Sequence, residues 1–294
     1  MLATGAFALA VPVLLGVRSG AHAFILNRLR APRLRHDRTP SDIGLQALEL
    51  RLPTANGKCL FGWFVAAPGS APRPAVVVMH GWGANAGLML PCARPLVEAG
   101  ISVLLLDARC HGASDDEAFT SMPRFAEDMA AGLDWLRHDP GVDGRRLAVL
   151  GHSVGAAAAL LCASQRSDIA AVVSLAAFAH PQEVMRRLLA EQHVPYVPLG
   201  WYVTRHVQRV IGHRFDTIAP LATLPRVRCP VLLVHGRDDH TTPFSDAERL
   251  HATGGSKSQL LPVAAGHDLS AALGLHRGQF VGFLQQSFAL QTQR

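Results

Sequence analysis

The residues with the greatest chemical potential are five in a row, Gly151-His152-Ser153-Val154-Gly155. They sit between an apolar run of β character at residues 146–150 and an alanine-rich helical run at residues 156–164. A serine on a sharp strand-to-helix turn presents its hydroxyl at the end of a sheet. The residues two before and two after it must lack side chains if the helix is to begin so close behind the strand. Gly151 and Gly155 meet that demand. A serine hydroxyl is a poor nucleophile at neutral pH. It serves acyl transfer when a base within hydrogen-bond reach takes its proton and a carboxylate orients that base. Two later segments offer such groups. The run Val231-Leu232-Leu233-Val234-His235-Gly236 reads as a buried strand leading to two adjacent acids, Asp238 and Asp239, and Gly266-His267-Asp268 follows the last apolar run.

Side chains so far apart in sequence need a rigid frame to bring them together. Residues 47–52 and 59–66 alternate in polarity around Pro53-Thr54-Ala55-Asn56-Gly57, which predicts a hairpin at a sheet edge. Beyond it, apolar runs at residues 74–79, 101–106, 147–150, 169–175, 231–234 and 259–263 alternate with helical patterns. Continuous apolarity marks strands buried on both faces, so the fold class is α/β, a mostly parallel sheet sandwiched by helices. Residues 180–228 interrupt the rhythm with Met185, Leu188, Leu189, Tyr196, Trp201 and Tyr202 among helix formers. They are longer than an ordinary crossover and read as a short helical cap inserted over the sheet, or else as structural helices packed on the body.

In this order of motifs the sequence resembles the α/β-hydrolase superfamily over residues 45–290, in which the site lies on loops at the carboxyl ends of strands. The resemblance implies Ser153 as nucleophile and His267, at the family's Gly-His position, as base. The pattern H-G-x-x-D-x-x-x-P, counted from Gly236 to Pro243, selects Asp239 over Asp238 as the acid. His80-Gly81-Trp82-Gly83 is similar to the family's oxyanion loop, which implies the backbone N–H groups of Trp82 and Val154 as oxyanion donors. Asp107-Ala108-Arg109-Cys110-His111-Gly112-Ala113-Ser114 looks like a structural turn of the family, with Cys110 where glycine is usual. His80, His111 and His152 fall inside these motifs and are expected to shape loops. His240 remains as a rival base and reads as a solvated loop residue.

The implied activity is hydrolysis of carboxylic esters through an acyl-enzyme, on a small and hydrophobic acyl substrate. A peptidase related to the serine aminopeptidases and a membrane-tethered scaffold without turnover are the competing readings. No cofactor motif appears. The histidines show no H-E-x-x-H spacing, and the five cysteines are scattered without C-x-x-C pairs, so neither a metal nor a disulfide framework is expected. The net charge of +6 is local, since residues 1–40 hold six arginines against Asp37 and the rest of the chain is almost neutral. That distribution argues against nucleic-acid binding.

Residues 2–17 carry no charge, and apolar character resumes after Arg18 as far as Leu26. Sixteen helical residues reach about 24 Å, short of a hydrocarbon core of about 30 Å, but including residues 18–26 makes a span feasible if Arg18 snorkels. Residues 1–26 are therefore expected to be a single-pass anchor and residues 27–45 a basic linker. The arginines behind the span favour a cytoplasmic catalytic domain of residues 46–290. Ala21-His22-Ala23 has the form of a cleavage site, so export after removal of a signal peptide is the alternative. The oligomeric state is not legible.

Overall fold

The computed structural model describes residues 19–20, 22–27 and 30–292. Most of the expected anchor, residues 1–18 and 21, lies outside the described residues. Among those described, no helix is long and apolar enough to cross a membrane.

The apolar runs become strands. The strands are β1 (Leu48–Thr54), β2 (Lys58–Val65), β3 (Arg73–Met79), β4 (Ser102–Leu106), β5 (Val142–His152), β6 (Ala171–Leu175), β7 (Val231–Gly236) and β8 (Ser258–Val263). The runs of β3, β4, β6 and β7 are buried on both sides, whereas the last run forms β8 at the sheet edge and is only half-buried. They form one sheet in the order β1-β2-β4-β3-β5-β6-β7-β8. The β1–β2 hairpin pairs antiparallel and β2 joins β4 antiparallel, while every pairing from β4 to β8 is parallel. This is the α/β-hydrolase fold, with the hairpin at one edge. Strand β5 begins at Val142, earlier than its apolar run, because Val142 pairs with Arg73 across a register shift and the Arg146 guanidinium holds Asp143 at 2.7 Å.

Alternation along the strands divides the core into two layers. Val77, Met79, Leu104 and Leu106 face α2 (Met122–His138) and α3 (Val154–Gln165) through Phe125, Met129, Leu133 and Ala156 to Leu160. Val76, Val78, Val103 and Leu105 face α1 (Leu90–Glu98) and α10 (Arg277–Thr292) through Leu96, Phe280 and Leu284. Ser121 caps α2 by accepting the Arg124 N–H, and Arg137 and His138 stand in its last turn, where positive charge suits the helix dipole.

Between β6 and β7 lie α4 (Pro181–Glu191), α5 (Trp201–Ile211) and two single turns, α6 (Phe215–Ile218) and α7 (Pro220–Thr223). After β7 come α8 (Phe244–Gly254) and α9 (Ser270–Leu275). Residues 30–45 hold only one short 3-10 turn, Pro40–Ile43, yet they lie along the body. Arg33 donates to the carbonyls of Gly112 and Ser114 at 2.8 Å, His36 meets Asp107 at 2.9 Å, and Asn85 donates to the carbonyls of Leu34 and Arg35.

Candidate active site

Ser153 stands between the end of β5 and α3 with φ 54° and ψ −115°, a backbone region that costs a non-glycine residue free energy and persists only where the surroundings impose it. Part of that imposition is visible: the Ser153 N–H donates to Leu175 O on β6 at 2.8 Å. The flanking glycines are sterically required. A Cβ on Gly151 would collide with the Gly155 carbonyl, and one on Gly155 with the carbonyl of His80 at the end of β3.

The residues expected as acid and base come from adjacent strand ends. Residues 237–242 follow β7, where Asp239 is buried and Asp238 is exposed. Asp239 accepts the N–H groups of Thr241 and Thr242 at Oδ1, both at 2.8 Å, and the Thr242 hydroxyl at Oδ2, also at 2.8 Å. His267, on the loop after β8, places Nδ1 2.8 Å from Asp239 Oδ2. Burial works to raise the Asp239 pKa, but the hydrogen bonds from His267 and Thr242 outweigh it and bring it to about 2. An ionised Asp239 accepts from Nδ1–H of His267, a contact that selects the tautomer with its proton on Nδ1. The two loops are packed backbone to backbone, since a Cβ on Gly236 would collide with the carbonyls of Ala265 and Gly266.

The serine and the histidine line one cavity of about 800 Å³, together with Trp82 and Val154. Among the described residues no hydrogen bond joins the Ser153 hydroxyl to His267. Such bonds are commonly long in ligand-free sites and tighten when substrate fills the cavity. Among the described residues no protein acceptor takes the N–H of Trp82 or of Val154, so both remain available to a ligand. A Cβ on Gly81 would stand 3.2 Å from that of Ser153, which shows how closely the Trp82 loop approaches the serine.

That loop rests on a sealed cluster. Ala108 donates to His80 Nε2 at 3.0 Å, and His80 Nδ1 bonds Gly81 O at 2.7 Å. Gly83 donates to His111 Nε2 at 3.0 Å, while His111 Nδ1 bonds Arg109 O at 2.9 Å. Both rings are thereby held neutral. Burial, helped by the neighbouring His111, lowers the His80 pKa to about 4, and burial lowers that of His111 as well. Beneath them Arg109, fully buried, meets Asp128 at 2.7 Å, Glu117 at 3.1 Å and Glu127 at 2.6 Å. Cys110 takes φ 65°, the left-handed conformation for which glycine is usual, and its sulfur accepts the Glu117 N–H at 3.3 Å.

A sequence model of the Hydrolase_4 family, described as serine aminopeptidase, S33, matches residues 70–217. The chain belongs to this family of α/β hydrolases. An uncharacterised protein of Mycobacterium tuberculosis is 31% identical over 216 residues, which are 73% of this chain and 70% of that one. The uncharacterised protein YqkD of Bacillus subtilis is 28% identical over 219 residues, 74% of this chain and 71% of its own. Among solved structures, the esterase Pf2001 of Pyrococcus furiosus superposes with a TM-score of 0.72 at 20% identity, covering 88% of this chain and 97% of that one. Est1E of Butyrivibrio proteoclasticus, solved with ferulic acid bound, gives 0.68 at 19% identity, covering 82% of this chain and 99% of that one. These likenesses establish a hydrolase family and the fold.

Several contributors to the site escaped the sequence reading. Thr242 holds Asp239 and lies 3.3 Å from His267 Nδ1, and His235 fixes the Thr242 carbonyl at 2.7 Å. His152, expected to shape a loop, bonds the His267 carbonyl at 2.9 Å with its ring 4.9 Å from that of His267. Ile25 and Leu26 also line the cavity, beside Val184, Met185 and Leu188 of α4 and Val207 of α5. Thr242 next to Pro243 was the one signal available from spacing. His240 is exposed, and the cavity lining does not include it.

Proposed function

We propose that this hydrolase cleaves carboxylic esters through an acyl-enzyme intermediate. Ser153 attacks the carbonyl carbon, His267 Nε2 takes the hydroxyl proton, and Asp239 stabilises the resulting imidazolium. The tetrahedral oxyanion accepts hydrogen bonds from the N–H groups of Trp82 and Val154, each worth about 3 to 4 kcal/mol in a site of this kind. His267 then protonates the leaving alcohol, and a water activated by the same imidazole releases the acid. The observation that carries this reading is the 2.8 Å Asp239–His267 contact opening on the same cavity as a serine with φ 54°.

The cavity wall favours a hydrophobic acyl group. Met89, Met122, Phe178, Met185, Val207 and Ile218 are among its lining residues, and an apolar cavity with few polar groups selects apolar ligands. The uncharged sequence of residues 2–17 adds the proposal that residues 1–26 anchor the enzyme in a membrane with the hydrolase domain in the cytoplasm. A second reading, amide hydrolysis, is favoured by the description of the matching family. A panel of p-nitrophenyl esters of graded chain length, run beside aminoacyl anilides, separates the two. Ester hydrolysis at much the higher kcat/KM, rising with acyl length, is expected; preference for the anilides overturns the first reading.

A further inference from the structure

The cap carries a face that catalysis does not use. Four large apolar side chains are exposed within six residues: Val197 at 75%, Leu199 at 51%, Trp201 at 51% and Tyr202 at 37%. Arginine accompanies them. Of the five arginines in residues 181–214, Arg187 pairs with Asp246 and Arg214 with Asp216, while α5 carries Arg205 and Arg209 with no acid. The Arg205 guanidinium lies 5.4 Å from the centre of the Trp201 ring, and that of Arg186 lies 4.3 Å from the centre of the Tyr196 ring. An exposed indole and a half-buried phenol beside guanidinium groups suit the boundary between acyl chains and headgroups, where an aromatic body is solvated by hydrocarbon and a cation by phosphate.

The path of the chain points the same way. Residues 22–27 are helical and reach the domain on this face of the cap, where His22 Nδ1 lies 2.9 Å from Nε2 of His206 on α5. The His206 ring in turn stacks on Tyr202 at 6.0 Å between centroids. One turn on, Ile25 and Leu26 line the cavity. The sequence just before them, residues 2–17, contains no charged residue. The described residues that follow this uncharged sequence thus lie against both α5 and the cavity.

We propose that residues 196–202 and the basic face of α5 dock on an anionic lipid bilayer, so that the substrate cavity opens at the membrane surface. The contact is separate from any insertion of residues 1–26 and independent of the nucleophile assignment. Charge complementarity and the entry point of the apolar sequence select lipid over a second protein as the occupant.

Tryptophan fluorescence of the full chain, reconstituted in phosphatidylglycerol vesicles with brominated acyl chains, tests the proposal. Quenching is expected, and the Trp201→Phe chain is expected to lose most of it. Replacing Arg205 and Arg209 together by Gln should reduce quenching to the level seen on brominated phosphatidylcholine. Equal quenching of the parent and Trp201→Phe chains overturns the proposal, as does a Trp201 that stays equally open to aqueous iodide with and without vesicles. The Ser153→Ala chain should be quenched like the parent, so failure of the catalytic reading leaves this result unaffected.

Discussion

Two clusters of histidine and aspartate lie within the same hydrolase, and their difference explains which one can do chemistry. Around Asp107 and Arg109, both ring nitrogens of His80 and of His111 are occupied by backbone groups, and both rings are buried. At the ends of β7 and β8, Asp239 is equally well supplied with hydrogen bonds, but it spends one on a single nitrogen of His267, whose side chain lines the cavity. The residue types are the same. Sealing makes one cluster a scaffold for the Trp82 loop, and a single bonded nitrogen leaves the other suited to the role of base that we propose for it.

The contrast is broken most severely at the base. His267→Ala should lower kcat by about 10⁴-fold or more with KM nearly unchanged, because the interaction is made in the transition state. Asp239→Asn should cost about 10⁴-fold in kcat by favouring the wrong tautomer of His267. Asp238→Asn, one residue away and exposed, should leave kcat within about twofold. Steady-state kinetics on one ester compares all three.

The sealed cluster should respond in stability. Arg109→Gln leaves Asp128, which is fully buried, without its cation and should destabilise the fold by about 3 to 5 kcal/mol in denaturant titration. His80 yields a smaller effect that depends on pH. Its folded pKa of about 4 lies below the ordinary value of 6.5. The unfolded chain therefore binds its proton first, so the stabilising contribution is complete above pH 6.5 and declines as pH falls toward 4. The loss amounts to about 3 kcal/mol if His80 acts alone. Denaturation midpoints of the His80→Gln chain should fall less steeply across that window than those of the parent.

Much of this arrangement was legible in the residues, and the exceptions share a cause. The five central strands β3 to β7 announced themselves through runs such as Val76-Val77-Val78-Met79, whose continuous apolarity requires burial on both faces, and the same signal marked the half-buried edge strand β8. Ser153 was legible because Gly151 and Gly155 answer a steric demand that acts within five residues. Interactions fixed only in three dimensions left no such trace. Arg33, His36 and Asn85 tie residues 30–45 to the body through carbonyl groups and the carboxylates of Asp107 and Asp116, which no periodicity encodes. Thr242 and His235 support Asp239 across a turn. Cys110 occupies a left-handed position despite its side chain, helped by hydrogen bonds between its sulfur and the backbone of Glu117.

The central claim concerns one oxygen atom, the hydroxyl of Ser153. Reaction of the full chain with a fluorophosphonate probe, followed by mass mapping of the modified peptide, tests it directly. The account predicts stoichiometric labelling at Ser153, abolished in Ser153→Ala and strongly slowed in His267→Ala. A folded chain that takes up no probe, or a Ser153→Ala chain labelled as fast as its parent, would contradict it.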